Sequence, residues 1–356
     1  HQAPAQWDNE RYDHRHDWRK GKRGHSKISV SGGASKDQKT WGELRQLMSG
    51  TTTLAGAGDA VGLVRNVDSN KQEGLDQEQV ELDTFPLGDA SGTLISSGCS
   101  YGSLPNSNVL NEDAWIPHVG EGIDAEARNE FLCLSSDDSG GRNVTGSNGA
   151  FVHAIAINAT DSAALAAAGT SVIWSPRSNI ALYGNTAPVT LLDNMGVKIA
   201  LGTDWTPSGS MNMVRELRCA DYLNSVHFGS FFTSQQLWRM ATDYAAEVLA
   251  IDDAVGALEE GLVADLVIYH NTEEDYYRNI LNASPDDTLL VFRGGEVLYG
   301  NDALVSALTG DSGDCETMPQ AVCGSLKRVC LRNDIGKSYS ALVGANSSSY
   351  ELYSCE

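Results

Sequence analysis

Between residues 150 and 204 one pattern recurs three times. A short apolar run ends in a polar residue, and a helix-like segment follows it. The first run spans 150–158 and passes through His153. An alanine-rich segment over 160–169 has the texture of a helix. A second run starts at Ser171 and gives way to the polar segment 175–179, Ser-Pro-Arg-Ser-Asn. A third covers 197–205 and contains Asp204. Alternating strand and helix signals of this kind predict βα units on a parallel sheet. In a closed βα barrel the chemistry sits at the C-terminal ends of the strands, where these polar residues fall.

The 356 residues suffice for one large domain and a smaller one. A formal net charge of −22 argues against nucleic acid or an anionic membrane surface as partner. No run of about 18 apolar residues is present, so no spanning helix is expected. The partner implied is a small-molecule substrate, with self-association left open. Four of the seven cysteines, Cys315, Cys323, Cys330 and Cys355, crowd into a tail rich in Ser, Gly and Asn. The tail has no CxxC pair and no histidine, which speaks against zinc there. A disulfide-stapled tail in an exported, extracytoplasmic protein of bacterial type is expected instead. The odd count leaves one thiol over.

Along the chain, residues 1–30 are densely charged and show no sustained period, which predicts a loop lying over a site. A short helix is expected over 40–48. Strands are expected over 50–56, 80–85, 94–99 and 114–122, and a helix over 124–133. Residues 137–149 form a loop. Past Asp204, helices are expected over 211–223, 233–241 and 244–249. From 255 the texture changes to short strands broken by glycine, then a hairpin over 289–299 turning at Gly294-Gly295. The domain boundaries expected are 1–250, 251–304 for a small β domain, and 305–356 for the cysteine tail.

His118, His153 and Asp204 each follow a different apolar strand. Imidazole and carboxylate are ligands that hydrolytic zinc or iron(II) accepts, with an open position for water. Such a metal lowers the pKa of its water toward neutrality. Asp204 could bind the metal or take the water's proton. Glu121, three residues after His118, could carry a proton to a leaving group. A lone histidine at a strand end is more often structural; three suitable positions in the right order weigh far more.

His153, the 175–179 segment, the approach to Asp204 over 196–204, and Glu216 together resemble the amidohydrolase superfamily, nearest its cytosine deaminase and triazine chlorohydrolase branch. The resemblance covers roughly 110–300. It implies a distorted TIM (β/α)8 barrel with a small β-sandwich. It also implies a metal held by a His-x-His on strand 1, His118 from strand 5, His153 from strand 6 and Asp204 from strand 8, with Glu121 as the acid after the strand-5 histidine. Dinuclear members bridge their metals with a lysine on strand 4. No lysine lies between Lys71 and Lys198, so one divalent ion, zinc or iron(II), is expected.

The strand-1 pair is the departure. The only literal His-x-His, His14-Arg-His16, lies in a charged segment with no strand before it. It is read as something other than that pair, and His1 as the remnant of a truncated pair is no better. The expectation is a fragment lacking barrel strand 1. The activity implied is metal-activated hydrolysis of a C–N bond, as a cyclic amide or an amino-heterocycle, with Glu121 and Asp204 moving protons. The alternatives are a non-catalytic binding protein on the same fold, or a hydrolase of C–Cl or peptide-like bonds.

Overall fold

Two five-stranded sheets divide the work of the chain, one parallel and one antiparallel. The structure is a computed structural model and describes residues 10–30, 33–56, 60–310 and 312–355; His1 lies outside the described residues. The N-terminal part holds α1 (Arg15–Lys20), α2 (Lys36–Leu47) and a two-stranded parallel pair, β1 (Thr53–Leu54) with β2 (Arg65–Asn66). Next come β3 (Glu81–Asp83), β4 (Trp115–Val119), α3 (Ala125–Ser135), β5 (Ala150–His153), α4 (Ala159–Ala168) and β6 (Ser171–Trp174). They are followed by α5 (Pro176–Tyr183), α6 (Val189–Asn194) and β7 (Ile199–Leu201). Strands β3 to β7 pair in sequence order, all parallel.

Local chemistry sets these boundaries. Asp124 caps α3 by accepting from the Ala127 N–H. Asn158 and Asp161 close a capping box on α4. Pro176 occupies the first turn of α5, where its missing N–H costs nothing. Strands β5 and β7 are buried on both faces, as parallel strands between helices must be. Trp115, Phe131, Phe151 and Trp174 fill the core between sheet and helices.

Helices α7 (Met213–Val226), α8 (Ser234–Arg239) and α9 (Asp243–Val248) follow. The remainder is β8 (Leu266–Tyr269), α10 (Tyr276–Leu281), β9 (Thr288–Arg293), β10 (Glu296–Asn301), α11 (Asp302–Thr309), β11 (Cys315–Thr317), β12 (Lys327–Cys330), α12 (Arg332–Ile335) and α13 (Tyr339–Ala345). Its strands form the antiparallel sheet β11-β12-β10-β9-β8, and β9 and β10 are the hairpin expected at Gly294-Gly295. The cysteine tail supplies the edge strand β11 and its neighbour β12, which Cys315–Cys330 links. Cys323–Cys355 ties the chain end, Cys99–Cys133 ties the loop before β4 to α3, and Cys219 is the free thiol.

Three expectations are corrected. Residues 94–99 form no strand: Gly88, Gly92 and Gly98 all take positive φ, and turns replace a ladder. In 255–269 only β8 pairs, because Gly256 and Gly261 sit at φ 107° and 104°, outside the extended region. Residues 1–30 are not wholly loop. His14 caps α1 by accepting from the His16 N–H, and Asp17 returns a bond to the His14 N–H. That helix is fixed by capping and buried charge pairs, which leave no apolar period to read.

Candidate active site

Ligating atoms of His118, His153 and Asp204 lie within 4.8 Å of one another. The strands bring them there. In the parallel register His118 stands opposite Val152, and His153 opposite Val119. Strict alternation would send the two imidazoles to opposite faces. His153 instead takes φ 75° at the end of β5, and its ring comes to 5.3 Å from that of His118, centroid to centroid. Asp204, three residues beyond β7, also has positive φ, 55°. Left-handed backbone at two non-glycine residues is strain of the kind that collects at functional sites.

The imidazoles are prepared as ligands. Nδ1 of His153 contacts Oδ1 of Asn179 at 3.1 Å, and its buried Nε2 has no hydrogen-bond partner. His118 bonds to the Asp83 backbone while its buried Nδ1 has no partner. Burial, with His153 beside it, pushes the His118 ring well below its ordinary value and so holds it neutral. Two orphaned imidazole nitrogens facing a carboxylate fit a divalent cation, since buried polar groups otherwise find partners.

Glu121 stands beside this group. It is buried, with Oε2 3.7 Å from His153 Nε2 and Oε1 accepting the Tyr183 hydroxyl at 2.6 Å. Burial raises its carboxyl above the usual range, against the pull of His153. Glu216, on α7, is fully buried and accepts from the Arg177 N–H at 3.0 Å. Burial brings it up to about 7, with the hydrogen bond from the Arg177 N–H opposing. It supports the start of α5, the first turn of the helix after Ser175.

His14 and His16 are buried in a different arrangement. His14 Nδ1 accepts from the His16 N–H and its Nε2 faces Glu130 at 3.2 Å. His16 Nε2 faces Asp89 at 2.7 Å while its Nδ1 meets Arg19 at 2.9 Å. Arg15 reaches both carboxylates, Asp89 at 2.7 Å and Glu130 at 3.2 Å. Though His14, His16 and Glu130 have the spacing of a metal cluster, every ring nitrogen is engaged. A guanidinium already holds the cation's place. Against burial, which would raise it, the bond from His16 and the charge of Arg15 hold the Asp89 carboxyl at about 2. Arg15 also donates to the carbonyls of Thr84 and His118, at 2.8 and 3.5 Å. The network thus underpins β4.

Sequence reasoning found the three candidate ligands and Glu121. It weighed Asn179 equally as an orienting residue and a structural turn; the structure places its amide on His153. It passed over Tyr183, which stands outside the 175–179 segment with nothing to mark it. The half-buried Trp18 and Trp205 stack on each other, 5.0 Å between centroids and 22° between planes.

Residues 119–298, half of the chain, match the model of the amidohydrolase family. A 5-methylthioadenosine/S-adenosylhomocysteine deaminase of Desulforudis audaxviator is 35% identical over 120 residues, 33% of this chain and 28% of that protein. A 5'-deoxyadenosine deaminase of Methanopyrus kandleri is 33% identical over 149 residues, 39% of this chain and 34% of that one. The chain thus spans about a third of the length of these curated relatives. Among solved structures, an adenosine deaminase from Xanthomonas campestris with bound zinc aligns with TM-score 0.55 and 17% identity, over 87% of this chain and 73% of that one. An atrazine chlorohydrolase variant from Arthrobacter aurescens, complexed with zinc and atraton, aligns with TM-score 0.50 and 17% identity, over 74% and 72%. These likenesses give a TIM-barrel-like α/β fold. By the family match and the fold together, the chain belongs to the amidohydrolase family.

Proposed function

We propose that this protein is a metal-dependent hydrolase that deaminates an amino-substituted heterocycle, with purine-type rings the first to try. The observation that carries it is the convergence of His118, His153 and Asp204, with two buried imidazole nitrogens unpartnered and Glu121 alongside. Deaminase relatives supply the substrate class. His118, His153 and Asp204 would hold one divalent ion, zinc or iron(II), with zinc favoured by the solved neighbours. When bound, such an ion acidifies a water at neutral pH.

The side chains do the rest. Asn179 fixes the His153 ring. Glu121, raised by burial, takes a proton from water and returns it to the leaving nitrogen. The Asp204 carboxylate can accept the second and pass it to the ring nitrogen, so that neither carboxylate ends protonated. Water adds across the C–N bond, the ring carbon becomes a carbonyl carbon, and ammonia leaves. In this proposal residues 1–250 form part of a distorted barrel, 251–304 part of a β-sandwich, and 305–356 its stapled edge. Three disulfides support an extracytoplasmic location. Among the described residues no helix is long and apolar enough to cross a membrane.

The test is metal quantitation on the purified protein, then ammonia release from a panel of aminopurines, aminopyrimidines and cyclic amides. Bound zinc or iron with turnover lost in Glu121→Gln is the expected result. No bound metal, and ligand binding unaffected by His153→Ala, would point to a binding protein. Chloride release from a chlorotriazine would redirect the assignment to C–Cl hydrolysis.

A further inference from the structure

We propose that Tyr183 is a positioning residue for the proton carrier Glu121, and that Trp18, from the N-terminal helix, holds Tyr183 in place. The proposal rests on the deaminase reading above for its chemistry, but its geometry is independent of it. The Trp18 indole N–H donates to the Tyr183 hydroxyl at 2.8 Å, and that hydroxyl donates to Glu121 Oε1 at 2.6 Å. The phenol is buried, so no bulk water competes for either bond. With Oε1 engaged, the carboxyl presents Oε2 toward His153 at 3.7 Å. One oxygen is anchored and the other faces the reacting centre, which is the arrangement a proton carrier needs.

The chain of bonds joins distant parts of the sequence. Trp18 lies in α1, Tyr183 ends α5, and Glu121 follows β4. Trp18 also stacks on Trp205, the neighbour of Asp204. The Tyr12 N–H donates to the Leu182 carbonyl at 2.8 Å, which docks the N-terminal segment on α5. The same segment therefore touches the support of Glu121 and the residue that follows Asp204. A tyrosine kept only for packing would not need its hydroxyl fixed from both sides.

Three variants and two readouts test this on the full chain reconstituted with zinc. In Tyr183→Phe, which keeps the ring, kcat should fall about 10- to 100-fold, the usual cost of removing an outer-shell partner. KM should stay within about twofold and zinc content unchanged, because only an interaction of the transition state is lost. Trp18→Phe should give a smaller loss of the same kind. Unchanged kcat in Tyr183→Phe, or a raised KM with unchanged kcat, would overturn the role. The second readout needs no turnover. The Trp18 indole N–H resonance, identified by its loss in Trp18→Phe, should shift in both Tyr183→Phe and Glu121→Gln. If the wild type deaminates nothing, the deaminase reading fails, yet this resonance still decides the chain of bonds: no shift in either variant sinks it.

Discussion

The His153 ring and the Asn179 amide meet at 3.1 Å, Nδ1 to Oδ1, and this contact fixes which nitrogen of His153 is free. The amide is itself oriented, because its NH2 donates to the Thr186 hydroxyl at 3.3 Å. Oδ1 therefore faces the imidazole, the proton sits on Nδ1, and the Nε2 lone pair points at His118 and Asp204. Asn179→Ala should free the ring to rotate and change tautomer. Zinc affinity is expected to weaken about 10- to 100-fold, measured by chelator competition, with the circular dichroism spectrum unchanged. Equal affinity in the variant would remove Asn179 from the site.

Arg15 is a second point where the fold and the site depend on one side chain. It is fully buried between Asp89 and Glu130 and also reaches the His118 carbonyl. Arg15→Met leaves two carboxylates buried without their cation. Breaking a buried pair from one side costs about 3–5 kcal/mol, so the urea midpoint should drop sharply. The double variant Arg15→Met/Asp89→Asn should recover part of the loss, because one orphaned charge goes with it. A midpoint equal to wild type in the single variant would refute the network.

How far the sequence foretold this site depends on the kind of signal each residue leaves. His118, His153 and Asp204 were legible because each terminates an apolar run, and burial of parallel strands writes such runs into the chain. The N-terminal segment was not. His14, Arg15 and His16 are buried by mutual charge compensation with Asp89 and Glu130, and those partners lie more than 70 residues away. Nothing local distinguishes that from a solvated loop. Tyr183 was missed for a related reason: its role comes from where its hydroxyl points. The strand expected over 94–99 failed because glycines in the left-handed region outweigh a few apolar residues.

Glu216 makes stability depend on pH in a definite direction. Burial brings its folded pKa up to about 7, from an ordinary value of 4.5. Between these values the folded state holds a proton that the unfolded chain has released. Stability from this group is therefore greatest below about 4.5 and falls as pH rises toward 7. A shift of this size corresponds to about 3 kcal/mol. Glu216→Gln keeps an oxygen to accept from the Arg177 N–H and removes the titration. The metal-free variant should melt higher than wild type near pH 8 and equally near about pH 4.5. A parallel pH dependence in the two proteins would show that Glu216 does not titrate in this range.

The thiol inventory yields a prediction that needs no activity. Cys99–Cys133, Cys315–Cys330 and Cys323–Cys355 are bonded, and Cys219 is free. Burial pushes the Cys219 thiol up to about 12, so it is poorly nucleophilic in the folded protein. Alkylation should add little to native protein, one label after unfolding without reductant, and seven after reduction. Cys99–Cys133 closes a loop with a sequence separation of 34, and α3, which it clamps, follows the strand bearing His118. Chain entropy assigns such a crosslink up to about 4 kcal/mol. The Cys99→Ser/Cys133→Ser double variant should lose much of that and bind zinc less tightly, because the loop it releases borders β4. Seven labels before reduction would mean no disulfides form. Unchanged stability in the double variant would mean that other contacts alone hold the loop on α3.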